Sequence, residues 1–493
     1  MSRKTAITAS ISSERSPVRG IRVRPQTGRW AVIEPVLKIV IVGLTLALLP
    51  SFFASLSPEG AFGWWESGEG SVSRILIGAY GLVVFASLVW RIMLWRRYRP
   101  VEPVAEEGLP SLSLMIPAYN EGRLVGDCIR AAAASDYPRD RFEIIVIDDG
   151  STDDTWRHIQ TVAGEVADRV AIVTLRHAVN RGKRQALHLG FQHAVGEAWA
   201  TTDSDSILDP GALANAVAPL VRDARVNCVA GCVQALNADV NLFTRFMKCY
   251  FSLSFKFVRA YQSVIRGVFC APGALSVYRA SAVRGVLSEW MHQAFLGRPC
   301  ATGEDRAMTN LLLREGGLTA YQQNAVVWSR APESYGGMAK MFLRWARSNI
   351  RETLVLMRFL FTRFRTGPLA AFRINMVLVM LSLALSPLLI AHSAGLLLVS
   401  DGFVLRYVAA MAAFSIVMAV VYYVNERDGD WVWLLAYQLF SVACFSWVMP
   451  YALLTLRNTR WMTRGSESAN AANRGDAMRL PMLTREAPEL AAA

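Results

Sequence analysis

Three stretches end the same way: SLSLMIPAYNEG at 111–122, FEIIVIDDGS at 142–151 and EAWATTDSDS at 197–206 are apolar runs that stop in polar clusters. Short apolar runs bounded by turn residues predict buried strands over 111–116, 142–147 and 197–202, with another at 171–175 (AIVTL). The segments near 123–134, 153–167 and 183–195 between them have helical character. Strand alternating with helix predicts a mostly parallel sheet covered on both faces, whose ligands gather beyond the carboxyl ends of the strands. Those ends hold Pro117 to Gly122, Asp148 to Ser151, and Asp203 to Asp205.

Outward from this α/β block the chain changes character. Five stretches, 35–56, 75–95, 374–400, 407–425 and 431–456, carry only two charges between them, Lys38 and Arg91. Each is about as long as the 20 or so apolar residues that cross a bilayer as a helix. With 53% hydrophobic and 18% charged residues over 493 positions, a fully soluble, a disordered and a purely transmembrane protein are all excluded. The expected organisation is a basic cytoplasmic tail (1–30), two transmembrane helices (31–96), a cytoplasmic domain (97–373), about three transmembrane helices (374–456) and a disordered tail (457–493). Arg3, Lys4, Arg15, Arg19, Arg22, Arg24 and Arg29 face a single acid, Glu14, before the first stretch, and Arg96, Arg97 and Arg99 follow the second. The positive-inside rule therefore puts the central domain in the cytoplasm of a multi-pass plasma (inner) membrane protein. Five crossings would carry the C-terminus outside, whereas Arg457, Arg460 and Arg464 favour the inside. Either one stretch is re-entrant or the rule fails.

The net charge of +13 comes with no basic recognition module, so membrane lipid and an anionic substrate are the expected partners, and nucleic acid is not. Arg245, Lys248, Lys256 and Arg259 within 242–261, and Lys340, Arg344, Arg347, Arg351 and Arg358 within 335–365, lie on helical faces opposite aromatic residues and methionine. Both segments are expected to be amphipathic helices in the membrane interface, with their cations at the headgroups. The seven cysteines lack a paired zinc spacing and are expected as free thiols.

Asp203 and Asp205 stand two apart at a strand end, so in extended chain both carboxylates point the same way, which suits Mg2+ or Mn2+. Taken alone such a pair is more often a solvated acidic turn. Asp148 and Asp149 read equally as a helix start or as carboxylates for a nucleotide's base or ribose. Asn180-Arg181-Gly182-Lys183-Arg184 combines a glycine, a lysine and a helix N-terminus, which suits a diphosphate, though a plain basic helix start is the commoner meaning. Gly303-Glu304-Asp305-Arg306 adds a second carboxylate group, either a helix-start acid paired with Arg306 or a base for an acceptor hydroxyl.

These clusters in this order resemble the processive family-2 glycosyltransferases, most of all the hyaluronan synthases and next the chitin-oligosaccharide synthases of nodulating bacteria. The resemblance runs from about Ser111 to Glu352. It includes LSEWMHQAFLGRPCATGEDRAMTN at 287–310, Gly273-Ala274-Leu275-Ser276-Val277-Tyr278-Arg279, and Arg344-Trp345-Ala346-Arg347-Ser348. It implies a nucleotide-diphospho-sugar transferase domain of the GT-A type inserted between transmembrane helices, and an inverting, metal-dependent synthase that polymerises UDP-sugars and extrudes the chain. By the same resemblance Tyr119, Glu121, Asp149, Lys183, Asp203 and Arg344 hold the nucleotide, and Asp203 with Asp205 holds the metal. Asp305, with Glu304 beside it, is catalytic as the base; Trp345, Gly273 and Arg279 face the growing polysaccharide acceptor. Met341 stands where the family has a glutamine. A competing expectation from another class is an inactive relative serving glycan export or interaction, against which the intact Asp203, Asp205 and Asp305 argue.

Overall fold

The computed structural model describes residues 29–56, 71–367, 369–399 and 403–458. All but the last two residues of the tail expected at 1–30, and all but the first two of the tail expected at 457–493, lie outside them. Two helices open the chain, α1 (Arg29–Leu56) and α2 (Ser71–Arg97), and contain the first two apolar stretches. The central domain follows as β1 (Leu112–Ala118), α3 (Leu124–Ala133), β2 (Phe142–Asp148), α4 (Thr155–Val166), β3 (Ala171–Arg176), α5 (Lys183–His193) and β4 (Ala198–Thr201). Then come β5 (Ile207–Leu208), α6 (Ala212–Arg222), β6 (Val226–Ala235), α7 (Leu242–Ser252), a π-helical segment Leu253–Arg259 and α8 (Ala260–Val264). The domain ends with β7 (Ser276–Arg279), α9 (Ala280–Met291), a small hairpin of β8 (Ala294–Phe295) and β9 (Arg298–Pro299), α10 (Glu304–Arg314), β10 (Leu318–Ser329) and α11 (Tyr335–Leu360).

The eight-stranded sheet has the order β3-β2-β1-β4-β7-β6-β10-β5. Strands β1 to β4 are parallel, as the strand–helix alternation predicts, while β7 runs antiparallel to both its neighbours. Every residue of β1 is buried, because helices cover both faces of the sheet. The chain moves outward from β1 to β2 on one side and to β4 on the other, so a crevice opens at the carboxyl ends between them. Ala118 sits opposite Asp148, and Met115 opposite Thr201, which brings the three polar clusters to one rim.

Four helices close the described chain: α12 (Ala370–Val399), α13 (Phe403–Glu426), α14 (Trp431–Phe445) and α15 (Val448–Leu454). Among the described residues, Ile33–Ala54, Val404–Glu426 and Trp431–Leu454 are long and apolar enough to cross a membrane. The turn between α13 and α14 forms a charge knot with the domain. Asp430 pairs with Lys38 (3.3 Å), Arg245 (3.1 Å) and Lys248 (2.6 Å), Asp428 with Lys248 (2.8 Å), Glu34 with Arg245 (3.0 Å), and Glu426 with Lys256 (2.6 Å). This corrects the reading of the 242–261 stripe: Arg245, Lys248 and Lys256 meet carboxylates of the chain itself instead of headgroups. Arg259, the fourth cation, donates to the Cys270 carbonyl (3.2 Å). Helical periodicity reports which face is charged and is silent on what covers it. Beyond the knot, Phe246 packs on Tyr437 and Phe440, Tyr335 stacks on Phe445 at 5.3 Å, and Arg347 donates to Thr455 (3.0 Å). Thus α14 lies along α7 and α15 along α11. All seven cysteines are free thiols.

Candidate active site

The rim is assembled from loop to loop. The Asn120 amide donates to Ser151 Oγ (3.0 Å) and the Thr152 amide to Asn120 Oδ1 (2.9 Å), joining the ends of β1 and β2. Buried Glu121 has its amide on Thr155 Oγ1 (2.8 Å) and its carboxylate accepts from Ser204 Oγ (3.0 Å), tying the β1 end to the Asp203–Asp205 turn. Tyr119 is half-buried beside it.

Asp149 is not an open carboxylate. Its Oδ1 accepts from the Arg181 amide (3.0 Å) and sits 2.7 Å from His177 Nδ1, and its Oδ2 accepts from the Gly182 amide (2.7 Å). It shapes the turn that starts α5. Neither His177, which completes this arrangement, nor Arg176, which pairs with Asp148 at 2.9 Å, carries a motif that marks it in the sequence. Burial raises the Asp148 carboxyl above its ordinary range.

From that turn Lys183 reaches across the crevice and pairs with both Asp203 and Glu304 (3.3 Å). Two carboxylate clusters about a hundred residues apart therefore meet at one ammonium. Gly273 lies against this pair: a Cβ there would stand 2.6 Å from Lys183 Nζ and 3.4 Å from Asp203 Oδ1, so a side chain there would make the lysine's ammonium shift. Burial and the neighbouring Asp203 raise Asp205 to about 6. Burial also pushes on Glu304, but Lys183, Arg344 and Arg184 outweigh it and hold the carboxyl below its usual range. Asp305 is driven up by burial and by Glu304. It accepts from the Arg306 amide (2.7 Å), and the Cys270 thiol approaches its other oxygen at 3.6 Å. Two adjacent carboxyls shifted in opposite directions are the pattern expected where one must hold charge and the other must exchange a proton.

Among the described residues no group of three or more His, Cys, Asp and Glu could hold a metal ion by itself. The pair Asp203 and Asp205 still fits a hard divalent cation, which accepts one or two carboxylates and fills its other positions from phosphate and water. The mutual crowding of these two carboxylates is what a cation would relieve.

Helix α11 supplies the remaining groups. Arg344 acts electrostatically on both Glu304 and Asp305. Trp345 stacks on Tyr250 of α7 at 5.9 Å and meets Phe342 edge-on, an aromatic group on the side of the domain that faces α14. Met341 is buried in the core, where an apolar side chain needs no hydrogen-bond partner. Arg279 falls elsewhere: it pairs in register with Ala198 at the far end of β4 and donates to the Leu220 and Val226 carbonyls (2.8 and 3.1 Å). The antiparallel direction of β7 accounts for this, since its two ends serve opposite edges of the sheet.

The profile described as "Glycosyltransferase like family 2" matches residues 110–348. An N-acetylglucosaminyltransferase of Mesorhizobium japonicum is 32% identical over 389 residues, 78% of this chain and 88% of that protein. A hyaluronan synthase of Streptococcus pyogenes is 27% identical over 396 residues, 79% of this chain and 91% of that protein. Among solved structures, a mannosyltransferase of Pyrobaculum calidifontis in complex with GDP-Man and Mn2+ superposes with a TM-score of 0.53 at 20% identity, covering 78% of this chain and all of that one, a likeness of fold. With the carboxylate clusters and Lys183 on one rim of a GT-A-like mixed sheet, and relatives matched over most of their length, the chain belongs to glycosyltransferase family 2.

Proposed function

We propose that this glycosyltransferase is a membrane-integrated, inverting and processive synthase that polymerises UDP-sugars into a β-linked polysaccharide and extrudes it, as a hyaluronan synthase does. The observation that carries the reading is the meeting of Asp203, Lys183, Glu304 and Asp305 at one rim, beside α11, whose Arg344 acts on both acids and whose Phe342 packs on Phe445 of α14. Tyr119 and Glu121 contact the uridine; Asp149 contributes by holding the turn from which Lys183 and the α5 N-terminus face the diphosphate. Asp203 and Asp205 would hold Mg2+ or Mn2+, which when bound neutralises charge on the diphosphate. The acceptor hydroxyl attacks the anomeric carbon on the face opposite the diphosphate and gives its proton to Asp305. The electron pair of the breaking C–O bond leaves with UDP, and the anomeric centre inverts. The raised affinity of Asp305 for a proton, caused by burial and by Glu304, suits it to that role. Arg344 offsets charge on the departing diphosphate, and Trp345 stacks under the acceptor sugar.

The synthase faces the cytoplasm with its catalytic domain in this reading, and the charge knot supports a definite path for the chain. The start of α1, the turn 426–430 and the domain all meet there, so α13 ends on the catalytic side. The 15 residues of α14 rise only about 22 Å at roughly 1.5 Å each, short of about 30 Å of hydrocarbon, before the break at Ser446 and Trp447. Since α15 returns onto α11, the segment 431–454 is re-entrant and the C-terminal tail lies inside. That is the side its arginines prefer.

Inside-out membrane vesicles given single and paired radiolabelled UDP-sugars test the activity. The expected result is UDP release with a polymer, defined by mass spectrometry, accumulating in the lumen; no UDP release beyond hydrolysis with any donor would favour an inactive export component. The likeness to N-acetylglucosaminyltransferases, 32% and 28% identical, supports a second reading. In that reading UDP-N-acetylglucosamine alone suffices and the product is a chitin-like oligosaccharide.

A further inference from the structure

Behind the carboxylates lies a polar network that the reaction itself does not use. Arg351 and Glu352 on α11 are 1% and 0% exposed, although burying two charges is costly unless each is fully partnered. Arg351 donates to the Thr302 carbonyl and, through Nε, to Glu352 Oε1 (3.3 Å). Glu352 also accepts from Gln293 Nε2 (3.0 Å) and Asn310 Nδ2 (3.0 Å). Arg306 reaches Asn349 (2.8 Å) and Thr353 (2.9 Å), which stand one turn apart on α11 and flank the pair. Gln293 in turn accepts from Arg184 (3.1 Å), Arg184 donates to the Trp290 carbonyl, and Trp290 Nε1 donates to the Glu304 carbonyl (2.8 Å). The turn so enclosed is Thr302 to Asp305. Its Gly303 has φ +80°, and a Cβ there would overlap Ser348 Oγ, so α11 touches the backbone of the turn directly.

Arg351 lies seven residues, two helical turns, after Arg344 and on the same face. We propose that Arg351 and Glu352 are positioning residues: they lock the Glu304–Asp305 turn to α11 and so set the register between the proton acceptor on one helix and Arg344 and Trp345 on the other. The proposal rests on the reading of Asp305 as the base. Retaining a buried ion pair where apolar side chains would pack as well is accounted for by the Thr302 carbonyl, which needs a donor aimed from α11 and fixes the direction of the turn from Gly303 to Asp305.

The test compares Glu352→Gln, Arg351→Met and the double variant with wild type and Asp305→Asn in detergent, following thermal midpoint, UDP affinity, kcat, KM and the pH dependence of kcat. Each single variant should lose at least tenfold in kcat with UDP affinity and KM nearly unchanged, and the acid limb of its pH profile should move. The double variant, which removes both charges of the pair, should regain thermal stability without regaining kcat. Recovery of kcat together with stability, or single variants of normal kcat and pH profile, would overturn the proposal. If a single variant aggregates, the double variant decides. A normal turnover rate in Asp305→Asn overturns the base assignment instead, whatever the other variants do.

Discussion

Asp305 and Asp205 differ in what their raised proton affinity predicts. Asp305→Asn keeps size and polarity but removes the proton acceptor, so sugar transfer should vanish while UDP binding, measured by calorimetry, stays near wild type. Asp205 titrates near 6 in the fold, against about 3.9 in an unfolded chain, so the folded protein binds the extra proton between those values. Its contribution therefore favours folding at the lower pH and is lost as pH rises through 6. Without divalent metal, the thermal midpoint of wild type relative to Asp205→Asn should fall between pH 4.5 and pH 7, conditions chosen to bracket about 6. Excess Mn2+ should abolish that slope; an unchanged slope would remove Asp205 from the metal site. Gly273→Ala tests the crevice. A methyl group 2.6 Å from the Lys183 ammonium must displace it from Asp203, and UDP affinity should weaken several-fold.

Three arginines of α11 divide into two classes along one stripe. Arg344→Ala should lower turnover on the order of a hundredfold, as expected for a charge aimed at a developing anion. Arg358 is exposed, and its replacement by alanine should change turnover little. Arg351, which the amphipathic pattern alone assigns to lipid, is buried and belongs with the first class in its effect on kcat. Initial-rate measurements on the three purified variants check the ordering. The same stripe shows what was legible beforehand. Strands β1 to β4 and the helices between them follow from apolar runs and turn residues, and the polar ends mark the rim. Strands β6, β7 and β10 are harder to see: β7 has four residues, and β10 is interrupted by Gln322, Gln323 and Asn324, where its register with β6 slips. His177, Arg184 and Glu352 act through partners far away in sequence, so no spacing announces them. Arg279 shows the reverse error, a motif residue whose strand direction carries it away from the rim.

Membrane and catalytic parts are joined by charge as well as by aromatic packing. Asp430 serves three cations, and removing one partner of a buried ion pair costs about 3–5 kcal/mol, so Asp430→Ala should lower the thermal midpoint markedly in detergent, while the exposed Asp140→Ala should not. A C-terminal epitope should be reached by antibody only in inside-out vesicles or after permeabilisation; labelling of intact cells would refute the re-entrant path.

The knot also bears on how this enzyme can be produced. A fragment holding only the central domain would keep Arg245, Lys248 and Lys256 but lose Glu34, Glu426, Asp428 and Asp430, and it would bare Phe246, Tyr335 and Phe342 to solvent. Like charges crowded beside an uncovered aromatic seam favour self-association over solubility. Trimming the hydrophobic ends, the usual remedy for a protein that resists expression, should therefore yield inclusion bodies here, and crystallisation or screening efforts are better served by the whole chain in lipid nanodiscs.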